Sequence, residues 1–156
     1  MLNTSLCYIE YGDKVLMLLR NKKKNDINEG KWIGLGGKFE EAESPEECML
    51  REVYEETGLQ LKSWRYRGIV TFVPDKSEGE YMHLFTAKAD SEYFTPCNEG
   101  TLMWINKSDI DSLNLWEGDK VFLKLLREEE PFFSLKLVYE GDSLVGAFLN
   151  GTEIIK

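Results

Sequence analysis

The sequence predicts a mixed α/β domain, and three observations carry that prediction. A segment with helix-capping residues spans 45–57, a second amphipathic segment spans 115–128, and strand-like runs separated by polar turns fill most of the remaining chain. The chain has 156 residues, which is enough for one domain with a sizeable core. We therefore expect a single domain over residues 1–156.

The first predicted elements are two strands, at residues 4–11 and 14–20, joined as a hairpin across Gly12-Asp13. The second strand, KVLMLLR, is almost continuously apolar, which is typical of a strand covered on both faces. Residues 21–30, NKKKNDINEG, are predicted to form a polar loop. Its three consecutive lysines, at 22–24, are more typical of a solvated loop than of a phosphate site, although one of them can meet a triphosphate.

The segment 45–57 carries signals for both ends of a helix. Ser44 is a typical N-cap, Pro45 suits the first helical position, and Glu47 completes a capping-box pattern. Gly58 is the expected stop. The helical period places carboxylates on one face and a buried stripe on the other; these are Glu52, Glu55 and Glu56 against Met49, Leu50, Val53 and Thr57. Clustered carboxylates repel one another unless a cation lies among them, and such oxygen ligands suit magnesium or manganese.

The second half of the chain is predicted to be rich in strands. They lie at residues 64–72, 80–89, 101–105, 132–140 and 143–149. A short helical turn at 108–113 precedes the helix at 115–128. The apolar face of that helix is predicted to consist of Val121, Phe122, Leu125 and Leu126.

Composition limits the partners and the compartment. No apolar run is long enough to span a membrane, and the N-terminus shows no secretory signal. The formal net charge of -9 argues against polymeric nucleic acid as a partner, but a free nucleotide stays open because a bound cation can supply positive charge locally. Cys7, Cys48 and Cys97 show no zinc or disulfide spacing. We expect a cytoplasmic protein without a membrane partner, and both a monomer and a homodimer are open.

The stretch from Gly37 to Leu59, GKFEEAESPEECMLREVYEETGL, resembles the Nudix box at every fixed position. The resemblance covers most of the chain and implies an α/β/α sandwich with a mixed sheet. It also implies a magnesium-dependent or manganese-dependent hydrolase that acts on a small nucleotide. The implied metal ligands and catalytic groups are Glu52, Glu55 and Glu56 with the carbonyl of Gly36, together with Arg51, which braces Glu43, and the loop residue Glu99.

The segment KWIGLGGK at residues 31–38 is similar to the branch of this family that cleaves oxidised purine nucleoside triphosphates. That similarity implies substrate contacts from Arg20, Lys38, Phe72, Trp116 and Asp119. An ordinary packing role for Phe72 and Trp116, with an exposed Asp119, is the structural alternative.

Two positions depart from the branch. Ile33 stands where the branch has an asparagine, and Gly118 stands where it has the first of two aspartates. A site built around a hydrogen bond to the base loses discrimination without that bond. Two alternatives therefore stay open: hydrolysis of another nucleoside diphosphate derivative, such as a nucleotide sugar, and a non-catalytic module that senses nucleotides.

Overall fold

A computed structural model describes residues 1–22 and 26–155. Within these ranges the chain forms ten strands, two α-helices and one 3₁₀ helix. The strands are β1 (Leu2–Tyr11), β2 (Lys14–Leu19), β3 (Trp32–Ile33), β4 (Leu35–Lys38), β5 (Leu61–Val73), β6 (Glu80–Ala89), β7 (Thr101–Asn106), β8 (Phe133–Glu140), β9 (Ser143–Leu149) and β10 (Thr152–Ile155). The helices are α1 (Pro45–Thr57), the 3₁₀ helix Lys107–Ser112, and α2 (Glu117–Arg127).

The strands form one mixed sheet in the order β10-β9-β8-β5-β6-β1-β2-β3, with β4 paired to β1 and β7 paired to β2. The β1–β6 and β5–β8 pairs are parallel, and the other pairs are antiparallel. β1 pairs with three strands, β2, β4 and β6, so it lies at the centre of the sheet. The mixed sheet predicted from the resemblance is confirmed.

The sheet has a separate hydrophobic core on each face. Successive side chains of a strand point to opposite faces, so Tyr8 of β1 packs into one core while Cys7 and Ile9 pack into the other. The first core contains Phe122 from α2, and the second contains Met49 from α1. The two helices therefore cover opposite faces, which gives the α/β/α arrangement.

Several predicted elements are confirmed, and some bounds differ. The helix at 45–57 has the predicted limits, whereas β1 and β5 begin earlier than predicted, at Leu2 and Leu61, and α2 begins at Glu117. The buried face of α2 includes Leu123, which was not predicted, while Val121 and Leu125 are only partly buried. The strands β3, β4 and β10 were not predicted. The three cysteines are buried and free, and no helix in the described ranges is long and apolar enough to cross a membrane.

Candidate active site

Capping fixes both ends of α1 and so fixes its acidic face. The Ser44 hydroxyl accepts from the Glu47 backbone N–H at 3.1 Å, and the Glu47 carboxylate accepts from the Ser44 N–H at 2.9 Å. At the other end Gly58 adopts a left-handed conformation with φ 72, and its N–H donates to the Tyr54 carbonyl. The helix therefore has the length and ends that the sequence signals predict.

Arg51 joins this helix to the preceding loop. Its Nε donates to Glu43 at 2.7 Å, and its Nη2 donates to Glu43 at 2.9 Å and to the Lys38 carbonyl at 3.0 Å. The Arg51 contact and the Glu40 backbone N–H lower the pKa of Glu43 to about 2. The guanidinium also contacts Glu52 at 2.9 Å and Glu55 at 3.3 Å. Arg51 thus holds the loop against the acidic face.

Two glycines let β4 approach its neighbours more closely than other residues would. A Cβ at Gly36 would lie 1.8 Å from the Ser5 carbonyl oxygen, which excludes a side chain there. A Cβ at Gly37 would lie 2.5 Å from the Glu52 carboxyl carbon. The backbone of β4 and the Glu52 carboxylate therefore meet directly at Gly37.

Glu56 is the most deeply buried of the three helix carboxylates, with 8% of its surface exposed. Its Oε2 atom is buried and has no hydrogen-bond partner among the described residues. Burial, followed by the nearby Glu99 carboxylate and then Glu52, raises the pKa of Glu56 to about 9, and Arg20 opposes this rise. The loop residue Glu99 therefore lies close to the Glu56 carboxylate.

The chemistry of this group fits a divalent metal. An unpartnered buried carboxylate oxygen beside a second carboxylate is the arrangement that a cation neutralises, and an all-oxygen donor set suits magnesium or manganese. No three acidic, histidine or cysteine side chains in residues 1–22 and 26–155 already converge as a finished metal site. Arg51 holds both Glu52 and Glu55, and the Glu55 side chain is 57% exposed.

A cleft of about 440 Å³ reaches this acidic group at Gly36 and Gly37, whereas Glu52, Glu55, Glu56 and Glu99 do not themselves line it. All five residues predicted to contact substrate line the cleft, and so does the predicted metal-binding glycine; they are Arg20, Lys38, Phe72, Trp116, Asp119 and Gly36. We call Gly36, Gly37, Glu52, Glu55, Glu56 and Glu99 the carboxylate end, and Phe72, Trp116, Asp119 and Tyr139 the aromatic end. The fold brings together residues from six separate parts of the sequence at these two ends.

Arg20 lies between the carboxylate end and the loop at 26–30. Its terminal nitrogen is 3.8 Å from Glu99, and its Nε is 2.8 Å from Asp26 Oδ2, although the Nε–H is poorly aligned for a hydrogen bond with that oxygen. The Arg20 and Asp26 side chains are 14% and 8% exposed. Asp26 and Glu99 thus hold the Arg20 guanidinium in position at the cleft, where a phosphate-binding residue is needed.

The aromatic end is packed around Tyr139. The Phe72 and Trp116 rings lie 5.3 Å and 5.5 Å from the Tyr139 ring, and the Lys31 ammonium stands 5.1 Å from the Trp116 ring centre. Asp119 is 8% exposed, so the alternative of an exposed Asp119 is wrong. Burial raises the pKa of Asp119 to about 7, against the opposing charge of Lys31. Asp119 therefore enters the cleft as a carboxyl that titrates near neutral pH.

The structure explains one of the two departures from the oxidised-purine pattern. A Cβ at Gly118 would lie 2.5 Å from the Tyr139 hydroxyl and 2.6 Å from a Leu137 methyl group. The Gly118 N–H donates to that hydroxyl at 2.7 Å. An aspartate at 118 has no room while Tyr139 occupies this place. The other departure, Ile33, lines the cleft directly.

Two residues of the cleft were missed from the sequence. Asn28 accepts a 2.8 Å hydrogen bond from the Trp116 indole N–H, and Tyr139 anchors the aromatic end. Strand alternation gives a signal for Tyr139, since it follows Leu135 and Leu137 on one face of β8. Asn28 has no such signal, because it lies in a polar loop.

The lysine run contributes little to the described cleft. Lys22 donates from Nζ to the Cys97 carbonyl at 2.8 Å, and it does not line the cleft. Lys23 and Lys24 lie outside the described residues. A larger cavity, of about 1080 Å³, is lined by the first half of β5, the end of β6 and α2, and no predicted site residue lines it.

Comparison with known proteins gives a consistent family. The model of the NUDIX domain matches residues 2–126. A Bacillus subtilis (strain 168) protein described as uncharacterized Nudix hydrolase YvcI is 34% identical over 119 residues, which cover 72% of this chain and 71% of that protein. The oxidized purine nucleoside triphosphate hydrolase of Mus musculus is 30% identical over 117 residues, or 74% of each chain.

A solved structure gives the same result at the level of the fold. The crystal structure of the mMutator MutT protein from Bacillus halodurans superposes with a TM-score of 0.84 at 26% identity, over 96% of this chain and 98% of that chain. The family match covers well over half of the chain, and it includes the capped acidic helix and the glycines of β4. The chain therefore belongs to the Nudix family, and it is a Nudix hydrolase.

Proposed function

We propose that this protein is a magnesium-dependent pyrophosphohydrolase that cleaves a purine nucleoside triphosphate, including oxidised or otherwise modified purines, to the monophosphate and pyrophosphate. One observation carries the proposal: a single cleft joins the carboxylate end, through Gly36 and Gly37, to the aromatic end at Trp116 and Asp119. A substrate with a phosphate chain at one end and a flat ring at the other matches this arrangement.

The chain's own residues bind and orient the substrate. Arg20 and Lys38 line the cleft near β4 and supply positive charge for the phosphate chain. Phe72 and Trp116 offer apolar ring surface to the base, and Asp119 offers a hydrogen-bonding carboxyl to its edge. Holding both parts of the substrate at once fixes the position of the reacting phosphorus, and this positioning lowers the barrier.

The carboxylate end performs the chemical step in this proposal. A divalent cation held by Glu52, Glu55, Glu56 and the Gly36 carbonyl would activate water and neutralise charge on the phosphate oxygens. The remaining carboxylate oxygens at this end accept the proton that the attacking water loses. Arg51 keeps the loop and the helix in register while this occurs.

The relatives support the substrate class. The mouse relative is described as acting on oxidised purine nucleoside triphosphates, and it matches 74% of this chain. Removal of such nucleotides from the cellular pool would limit their incorporation into DNA, which is the biological role that we propose. Ile33 in the cleft favours a second candidate with the same chemistry, the hydrolysis of a nucleotide sugar or another nucleoside diphosphate derivative.

A hydrolysis screen tests the proposal. The purified protein is incubated with 8-oxo-dGTP, dGTP, 2-hydroxy-dATP, ordinary nucleoside triphosphates and ADP-ribose, with magnesium or with chelator, and the products are identified. We expect magnesium-dependent release of pyrophosphate and monophosphate, with the highest kcat/KM on a purine triphosphate. Preference for ADP-ribose would favour the second candidate, and no hydrolysis of any compound would favour a nucleotide-sensing module.

A further inference from the structure

Asn28 is a fixed part of the cleft wall. Its backbone N–H donates to Asp26 at 3.3 Å, and its carbonyl accepts from the Lys31 N–H at 2.8 Å. Its side-chain oxygen accepts from the Trp116 indole N–H at 2.8 Å. Bonds on both the backbone and the side chain hold Asn28 against the aromatic end.

The loop that carries Asn28 is joined to the chain just before α2. Asn114 donates to the Gly30 carbonyl at 2.9 Å, accepts from Lys31 Nζ at 3.3 Å, and accepts at its own carbonyl from the Trp32 N–H at 3.0 Å. The Gly30 N–H donates to the Arg20 carbonyl at 2.8 Å. Hydrogen bonds therefore fix the position of this loop at the wall of the cleft.

The bond to Trp116 determines what Asn28 can offer to a ligand. An indole N–H is only a donor, so the amide oxygen of Asn28 must face it. The group left for a ligand is the amino group, which carries two N–H donors. Ile33 lines the same cleft and has no hydrogen-bonding side chain, whereas Asp119 supplies carboxyl oxygens.

We propose that Asn28 supplies the amide donor that reads the base, in place of a side chain at position 33, and that with Asp119 it selects a 6-oxopurine. This inference rests on the proposed function, because it assigns a base to the same cleft. A 6-oxopurine presents an acceptor at O6 for the Asn28 amino group and a donor at N1 for the Asp119 carboxylate. A 6-aminopurine presents the reverse pattern, a donor at N6 and an acceptor at N1. Its N6 amino group would therefore face the Asn28 amino group, and its N1 would face the Asp119 carboxylate.

The test measures binding of dGMP and dAMP by calorimetry without divalent cations and at pH 8, where most of Asp119 is ionised because its pKa is about 7. These monophosphates carry the base but no anhydride bond, so the result does not depend on hydrolysis. The variants are Asn28→Asp, which keeps the acceptor for Trp116 and removes the donors, and Asn28→Leu, which removes the donors without adding charge. Asn21→Asp is the matched control, because Asn21 is exposed, bonds to Thr101, and does not line the cleft.

We expect wild-type protein and Asn21→Asp to bind dGMP at least about tenfold more tightly than dAMP, and both Asn28 variants to lose that ratio. The proposal is overturned if the wild type shows no preference, if the Asn28 variants keep the ratio within about twofold, or if they lose both ligands equally. A clear dGMP preference with no hydrolysis of any triphosphate would overturn the proposed function, but it would leave the proposed selection of a 6-oxopurine by Asn28 and Asp119 standing. A melting curve of each variant confirms that it is folded.

Discussion

The carboxylate end and the aromatic end of the cleft are built in different ways. Apart from Glu99, the carboxylate end comes from one continuous stretch, residues 36–56, in which a capped helix follows a glycine-rich strand. The aromatic end combines Phe72 of β5, Trp116 and Asp119 at the start of α2, and Tyr139 of β8. The first arrangement is set by local spacing, and the second by how distant elements pack.

The difference matters for function because the two ends have different tasks. The carboxylate end acts on the phosphate chain, which all nucleotides of this class share. The aromatic end contacts the variable part of the substrate, so a change of one side chain there alters selectivity without altering the chemistry. We therefore expect substitutions at the carboxylate end to change kcat most, and substitutions at the aromatic end to change substrate preference or stability.

The largest effect is expected at the carboxylate end, for Glu56→Gln. The amide removes a charged ligand and a proton acceptor while keeping the shape, so kcat should fall by about 10²- to 10⁴-fold. The metal-free variant should unfold at the same temperature as the wild type or above it, because the buried amide carries no charge.

Melting curves with and without magnesium check the cause of that loss. Magnesium should raise the melting temperature of the wild type, since it binds the folded state, and should raise that of Glu56→Gln much less. The control is Glu46→Gln, which changes an exposed glutamate on the same helix and should behave as the wild type. Near-normal turnover in Glu56→Gln would remove Glu56 from the catalytic group.

A pair of glycine substitutions separates catalysis from folding within the carboxylate end. Gly37→Ala places a Cβ 2.5 Å from the end of the flexible Glu52 side chain, which can move aside. Because a displacement of about 1 Å can cost 100-fold in rate, we expect a large fall in kcat with little loss of stability. Gly36→Ala instead meets the Ser5 backbone at 1.8 Å and should cost about 3 kcal/mol or more in unfolding free energy.

Enzyme assays and urea unfolding of the two variants measure these outcomes. Equal destabilisation by both substitutions would show that Gly37 serves the fold rather than the position of Glu52. Retained activity in a folded Gly37→Ala protein would mean that Glu52 tolerates displacement.

The sequence predicted the carboxylate end well because its signals are local. The N-cap Ser44, the stop Gly58 and the glutamate spacing all lie within one helix and its flanks, and each appears in the structure as expected. The strands β3 and β4 were missed, since two and four residues are too few to show an alternating pattern, and two of the four residues in β4 are glycines. β10 is similarly short.

The aromatic end was predicted only in part. The resemblance identified Phe72, Trp116 and Asp119, but the contacts that shape their surroundings join residues far apart in the chain. Asn28 meets Trp116, and Tyr139 meets Gly118, only because the loop and β8 pack beside α2. Such contacts depend on tertiary packing, so no local sequence pattern predicts them.

Asp119 gives a smaller, pH-dependent effect. Burial raises its pKa from 3.8 to about 7, so the folded protein keeps a proton that the unfolded chain releases near pH 4. The contribution of Asp119 to stability should therefore fall as pH rises from about 4 to 7, and stay lower above that range. Asp119→Asn should remove this loss, so the variant should match the wild type near pH 3 and exceed it at pH 8, by about 1.4 kcal/mol for each unit of pKa shift.

Urea unfolding at pH 3, 6 and 8 measures the difference between the two proteins. The same substitution should weaken dGMP binding, because an amide replaces the carboxylate acceptor. Lys31→Met provides the check on cause, since losing the Lys31 charge should raise the pKa of Asp119 further and so extend the stability loss to higher pH and enlarge it. Parallel stability curves for wild type and Asp119→Asn would show that Asp119 does not titrate in this range.

The smallest expected effect separates two buried tyrosines. The Tyr139 hydroxyl accepts from the buried Gly118 N–H, so Tyr139→Phe leaves that donor unsatisfied and should cost about 1–3 kcal/mol in unfolding free energy. The Tyr8 hydroxyl is buried without a hydrogen-bond partner among the described residues, so Tyr8→Phe should be neutral or slightly stabilising. Denaturant unfolding of both variants measures the contrast.

Because Tyr139 lines the cleft and Tyr8 does not, only Tyr139→Phe should also change the ratio of dGMP to dAMP affinity. Equal effects of the two substitutions would mean that the hydrogen bond to Gly118 does not shape the aromatic end, and that packing alone sets its selectivity.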